Sequence, residues 1–199
     1  MLGPNADCNT MRGVLNGCEW VDLGLSVKWA TCNIGALKPE ENGYYVAWGE
    51  ISEKASYTEN NSISYRKLWK DIAGNSLLDI ANHMLGPQWR IPTGNECDEL
   101  VKYCSWEKFS INGHNGSLVT GPSGSSIFLP AAGWKRDGSL FQINEEGHYW
   151  SSTPALTDED HLFAEFISFD LNLIFNNKVN AMSFMQRRYE GYSVRPVLR

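Results

Sequence analysis

"CEWVDLGLSVKWATCNIGA", Cys18 to Ala36, sets Trp20, Asp22, Leu23, Leu25, Val27 and Trp29 at the spacing of pleated backbone. Two short strands about the "GLS" turn at Gly24–Ser26 are expected there. The chain closes on another strand-like run, "GYSVRPVLR", Gly191 to Arg199. β-structure at both ends, with helical spacing between them, is the pattern of an α+β domain.

Two segments carry that helical spacing. "NSLLDIANHMLG", Asn75 to Gly86, offers an Asn or Ser cap, apolar positions at Leu77, Ile80, Ala81 and Met84, and a Gly86-Pro87 stop. "TGNECDELVKYC", Thr93 to Cys104, opens with Thr93 as N-cap and Glu96 three residues on, a capping box. It turns Leu100, Val101 and Cys104 inward. "ENGYYVAWGE" at 41–50 reads as a strand after Asn42-Gly43, and 52–75 as an exposed loop anchored by Tyr57, Tyr65 and Trp69. "SLVTGPSGSSIFLPAAG" reads as a hairpin about Gly121–Gly124, and "WKRDGSLFQINEEGHYWSSTP" holds an Asp137-Gly138 turn before Tyr149-Trp150. Residues 1–16 read as a tail and 17–199 as one domain with two helices and many short strands.

One stretch resists both periods. "DLNLIFNNKVNAMSFMQRRYEG", Asp170 to Gly191, mixes asparagines with Leu, Ile, Phe and Met, and neither alternates cleanly nor repeats every three to four residues.

Bulk numbers narrow the function. The chain has 199 residues, 42% of them apolar, and no apolar run near the ~18 residues of a membrane span. A net charge of −6 argues against a nucleic-acid footprint, which needs a basic face. Eight tryptophans and eighteen glycines suit a loop-rich fold in which large rings fill irregular gaps. "MLGPNADCNTMRG" lacks the charged-then-apolar order of a secretory signal. The five cysteines cannot all pair within the chain, and none sits at zinc spacing. Cys97 and Cys104 share a helix face but lie too far apart along it to bond. If a bridge forms, Cys32–Cys104 is the favoured pair; buried free thiols are the alternative.

The motifs "WVDLGLSVKWATCNIGA", "YYVAWGE", "WRIPTGNECDELVKYC", "SIFLPAAG", "YWSSTP" and "GYSVRPV" resemble, in order, those of the Fibrobacter succinogenes major paralogous domain family. The resemblance runs from Cys18 to Val197. It implies a C-type-lectin-like fold: short mixed or antiparallel strands, first and last strands paired, two flanking helices, and a long irregular loop-rich half that carries a ligand surface. It also implies a cell-surface or extracellular protein of gut Bacteroidetes, or a phage virion protein.

Related proteins diversified by retroelements vary between a "WSS" motif and the closing "RPV". Here that interval is 153–192, which holds the resistant stretch. The resemblance therefore implies a non-enzymatic ligand-binding module, of receptor or adhesin type. Its partner would be a protein or a glycan on a cell surface, with no nucleic acid and no cofactor. The candidate contact residues are Phe166, Ser168, Asp170, Leu171, Leu173, Phe175, Asn177, Met182, Phe184, Met185, Gln186 and Tyr189, with Trp134 and Tyr149 beside them. Exposure is expected of Phe166, Leu171, Phe175, Phe184, Met185 and Tyr189, and an inward set of Ala164, Ile167, Phe169, Val194 and Val197. The rivals are a structural or adhesin-tip domain packing through the same face, and an enzyme with an unrecognised site.

Catalytic and metal chemistry finds no motif. The Glu-Pro-Asn, Gln-Pro-Asp and Trp-Asn-Asp triplets of calcium-dependent sugar binding are absent, and Asp158–His161 reads as a solvated acidic loop. Formylglycine-generating enzymes of related fold work through C-terminal cysteines, and no Cys follows Cys104 here. There is no G-x-S-x-G elbow, no HExxH and no phosphate-cradling loop. His83, His114, His148 and His161 are scattered, and Glu145-Glu146 reads as a solvated turn.

Overall fold

In a computed structural model the chain is an α+β domain, described over residues 11–155, 161–175 and 178–199, with Phe175 described through its backbone alone. In chain order the strands are β1 (Arg12–Leu15), β2 (Cys18–Val21), β3 (Lys28–Ala30), β4 (Trp89–Arg90), β5 (Ser105–Ile111), β6 (His114–Thr120) and β7 (Ser126–Pro130). They continue as β8 (Trp134–Arg136), β9 (Ser139–Phe141), β10 (Glu146–Pro154), β11 (Phe163–Phe175), β12 (Lys178–Arg187) and β13 (Val197–Leu198). The helices are α1 (Ile80–Leu85) and α2 (Gly94–Tyr103).

The strands form sheets ordered β1-β2-β3-β13-β4, β5-β6-β7, β8-β9 and β10-β11-β12. The last strand does join the sheet of the chain's first strands, but it lies between β3 and β4 rather than against the first strand. The tail expected over 1–16 is shorter, because Arg12–Leu15 pairs with Cys18–Val21 as β1. Nor is the second half irregular. From β5 to β12 it is mostly strand.

Local chemistry explains the elements. Hairpins β1–β2, β5–β6 and β8–β9 turn on Asn16-Gly17, Asn112-Gly113 and Asp137-Gly138, and both residues of each pair have positive φ. That is the two-residue turn whose twist matches paired strands. Asn42-Gly43 makes no such hairpin. Tyr45, Val46, Ala47 and Trp48 are instead buried in irregular backbone, with only Val46 bridging to Tyr192.

The capping box of α2 is present: the Thr93 hydroxyl accepts from Glu96 N, and the Glu96 carboxylate accepts from Thr93 N at 2.8 Å. Burial alone would raise the Glu96 pKa, but the Arg90 guanidinium, forked onto both carboxylate oxygens, and the Thr93 N–H together lower it. Helix α1 starts later than expected, at Ile80. Its cap is the buried Asp79, which takes N–H bonds from Ala81 and Asn82 and also from Gly74 and Ile91. Leu77 and Met84 consequently stand outside the packed face and are exposed.

Two cores share strand β11. On one side Ile167, Phe169 and Leu171 join Tyr149, Cys97, Leu100 and Trp106 beneath α2. On the other Ala164 and Phe166 join Trp48, Trp150 and Tyr192. A strand buried on both faces loses polar–apolar alternation, as β11 does from Ala164 to Phe169, just ahead of the resistant stretch; within that stretch Leu171 is buried whereas most of β12 is exposed. The register shift between Asp170 and Ile174 breaks the period a second time.

The expected inward residues Ala164, Ile167, Phe169, Val194 and Val197 are all buried, Ala164 on the opposite face from Ile167 and Phe169. Cys18, Cys32, Cys97 and Cys104 are free thiols, so the favoured Cys32–Cys104 bridge is not formed. Cys104 packs on the core beneath α2, whereas Cys32 lines a cavity at the end of β3.

Candidate functional site

Sheet β10-β11-β12 aligns side chains in rows, because directly paired residues point to the same face. One row is Trp150, Phe166 and Phe184; the next is His148, Ser168 and Met182; the third is Glu146, Asp170 and Asn180. Exposure grows along each row. Phe166 is 5% exposed and Phe184 47%; His148 is 8% exposed and Met182 37%. The reason is topological: β11 is central, whereas β12 is at the sheet's margin.

Beneath this outer strip the face is an aromatic floor. The His148 ring stacks on Phe166 at 5.5 Å and lies 5.1 Å from Tyr192. Tyr192 in turn stacks on Trp150 at 4.3 Å. Phe184 touches the floor at its edge, 6.4 Å from Phe166.

A polar chain borders the floor. Trp134 donates through Nε1 to Gln142 at 3.1 Å, Gln142 donates to Glu146, and His148 Nε2 lies 2.8 Å from Glu146 Oε2. That contact puts the imidazole proton on Nε2, and Nδ1 is buried with no hydrogen-bond partner. Tyr192 donates to Glu190 at 2.7 Å, with Arg136 at 3.5 Å from the same carboxylate. Burial raises the Glu190 pKa, opposed by the Tyr192 hydroxyl and by Arg136. The floor rings are themselves buried, so the apolar area this face offers to a partner is that of Phe184 and Met182. Among the described residues no group of three His, Cys, Asp or Glu is placed to hold a metal ion, and no helix is long and apolar enough to cross a membrane.

The expected contact residues divide accordingly. Phe166, Ser168, Asp170, Met182, Phe184 and Gln186 share this face. Of these, Phe166 is floor rather than surface, since Trp150, His148 and Tyr192 enclose it. Leu171 points the other way, into the core beneath α2. Tyr189 is buried edge-on against Tyr65 at 5.2 Å. Met185 and Leu173 are exposed, at 51% and 56%, Met185 on the reverse face and Leu173 within the register shift. The Phe175 side chain, Asn177 and Asp158–Asp160 lie outside the described residues. Tyr149 is buried on the α2 side, donating to Pro130 O, and does not join the face. Trp134 does border it, 6.2 Å from His148.

Sequence reading missed His148, Gln142, Glu146, Asn180 and Tyr192. A signal existed for His148, which stands two residues before Trp150 in a strand and therefore on the same face. Compared with protein-family models, with curated proteins and with solved structures, the chain matches none.

Proposed function

We propose that the chain is a non-enzymatic ligand-binding module of the C-type-lectin-like kind, displayed at a cell surface or on a phage virion. Its contact strip is the β12 margin over the aromatic floor. The observation that carries this reading is the exposure of Met182 and Phe184 on a strand held in register by β11. Large apolar side chains fixed in place offer contact area with little ordering cost on binding, and Met adapts to the shape it meets. Asn180, Gln186 and Asp170 supply a polar rim. A protein partner fits this balance better than a glycan, whose sites pair one or two rings with many carboxylates and amides.

The test is a screen of extracellular proteins and glycans with the wild-type chain and the Met182→Asp/Phe184→Asp variant. The expected result is a protein ligand whose affinity drops about tenfold or more in the variant, with the melting temperature little changed. Equal binding by both chains overturns the reading. A wild-type dimer that the variant dissociates assigns the strip to subunit packing instead.

On the same resemblance, residues 153–192 are the segment that a retroelement diversifies. The neighbouring DNA is then expected to hold a near-copy of its coding stretch, differing at adenines, beside a reverse transcriptase. An uninterrupted neighbourhood with neither makes this a binder of fixed specificity.

A further inference from the structure

Away from that face, a cavity of about 480 Å³ opens beside the β1–β2 turn, and Cys18 and Cys32 both line it with Ile34, Tyr44 and Leu85. Strands β2 and β3 pair Val21 with Trp29 and Trp20 with Ala30. The ladder continues one rung further, since Thr31 N donates to Glu19 O at 2.9 Å. Carried one step past the last bonded pair, that register sets Cys18 opposite Cys32, where the backbone of Thr31 and Cys32 bends.

The kind of rung matters. Bonding through Thr31 makes the Glu19–Thr31 pair a hydrogen-bonded one. Its neighbours on either side are then non-bonded, and Ala30 N accordingly turns away to Pro196 O. In non-bonded antiparallel pairs the α-carbons stand about 4.5 Å apart with side chains on one face. A disulfide spans roughly 4.4–6.8 Å between α-carbons, a range that includes the spacing of a non-bonded rung.

We propose that Cys18 and Cys32 form a cross-strand dithiol site that a small-molecule disulfide, of the oxidised-glutathione class, converts to an intramolecular disulfide. One cysteine thiolate attacks a sulfur of the reagent, giving a mixed disulfide and one small thiolate. The other cysteine thiolate attacks the protein sulfur of that mixed disulfide, closing the Sγ–Sγ bond and expelling the second small thiolate. Two protein thiols are oxidised, one small disulfide is reduced to two thiols, and the two protons pass to them.

Access and competition favour this pair. Cys18 and Cys32 are partly exposed on the one cavity wall; Cys104, equally exposed, packs on the core beneath α2 and does not line that cavity, and Cys97 is buried. Their existing contacts are weak and local: Cys18 Sγ to Glu19 O at 3.8 Å, and Cys32 Sγ to the Thr31 hydroxyl at 3.7 Å. Burial, and after it the nearby Cys32 sulfur, push the Cys18 thiol up to about 11, which slows its exchange at neutral pH and calls for alkaline buffer. The bond would clamp the β1–β2 hairpin to the end of β3.

The experiment incubates the reduced, full-length chain with oxidised glutathione in mildly alkaline buffer. Free thiols are then alkylated and the digest is mapped by mass spectrometry. A monomer with a Cys18–Cys32 linked peptide is expected, reversed by dithiothreitol. Its melting temperature should rise by roughly 6–12 °C, the gain of closing a loop of this length. Cys18→Ser or Cys32→Ser should abolish the link, while Cys8→Ser, Cys97→Ser and Cys104→Ser should leave it. Alkylation of both thiols, stable glutathione adducts on both, or a Cys32–Cys104 or Cys8–Cys18 link each overturns the proposal.

Discussion

Arg195→Met is expected to cost about 3–5 kcal/mol, a large fraction of the ~5–15 kcal/mol by which domains are stable. The Arg195 side chain is fully buried between the end of β3 and strand β7. Its Nε donates to Asn33 Oδ1 at 2.9 Å, Nη1 to the carbonyls of Ala30 and Thr31, and Nη2 to Phe128 O at 3.0 Å. Burial lowers the guanidinium's pKa, and these acceptors are what hold the charge inside. Methionine fills similar space but leaves three carbonyls and an amide oxygen unpaired in the interior.

Arg195→Lys should not rescue the chain. An ammonium donates from a single atom and cannot reach acceptors spread around a planar fork. Urea denaturation of both variants checks this, and a lysine variant within about 1 kcal/mol of wild type refutes the account.

Trp150→Ala is expected to cost a further independent 3–5 kcal/mol or so, the usual range for emptying a buried indole site. Trp150 donates through Nε1 to Val46 O at 2.9 Å, stacks on Tyr192 and meets Phe166 edge-on. Truncation removes the layer on which Phe166 and His148 rest, so the floor collapses along with stability. Trp150→Phe keeps a ring there and loses the N–H bond, and about 1–2 kcal/mol is expected for it. Near-ultraviolet circular dichroism during denaturation reads both effects. An alanine variant as stable as the phenylalanine one shows that the indole is not the support.

Local signals were the readable part. Thr93 with Glu96 marked the start of α2, and Asp137-Gly138 marked a hairpin, because each motif acts over three or four residues. The same dipeptide chemistry misled at Asn42-Gly43 and was overlooked at Asn112-Gly113. What separates them is whether the flanking runs find each other, which no short window contains. Strand β11 was opaque for a related reason: two cores claim its opposite faces, and burial on both sides looks like disorder in the pattern. Phe166 and Leu171 are therefore expected outside, and so is Tyr189, whose cover is Tyr65 from a distant segment. Phe184 and Met185 are readable as exposed, since nothing nearby in sequence competes for them, and Met182 is readable only as a contact candidate. His148 reads as one of four scattered histidines because its neighbours, Phe166 and Tyr192, come from distant segments.

The bonds joining β12 to β11 run between main-chain groups, so their register is indifferent to the side chains at 180, 182, 184 and 186. The opposing positions 164 and 166 have no such freedom, being wedged among tryptophans. Substitution is thereby best tolerated in one strand, whose outward positions recur about every 7 Å. Whatever such a strip meets, it meets as a narrow line roughly 20 Å long rather than as a bowl. Changes of preference can accumulate along that line one position at a time while the fold beneath stays as it was.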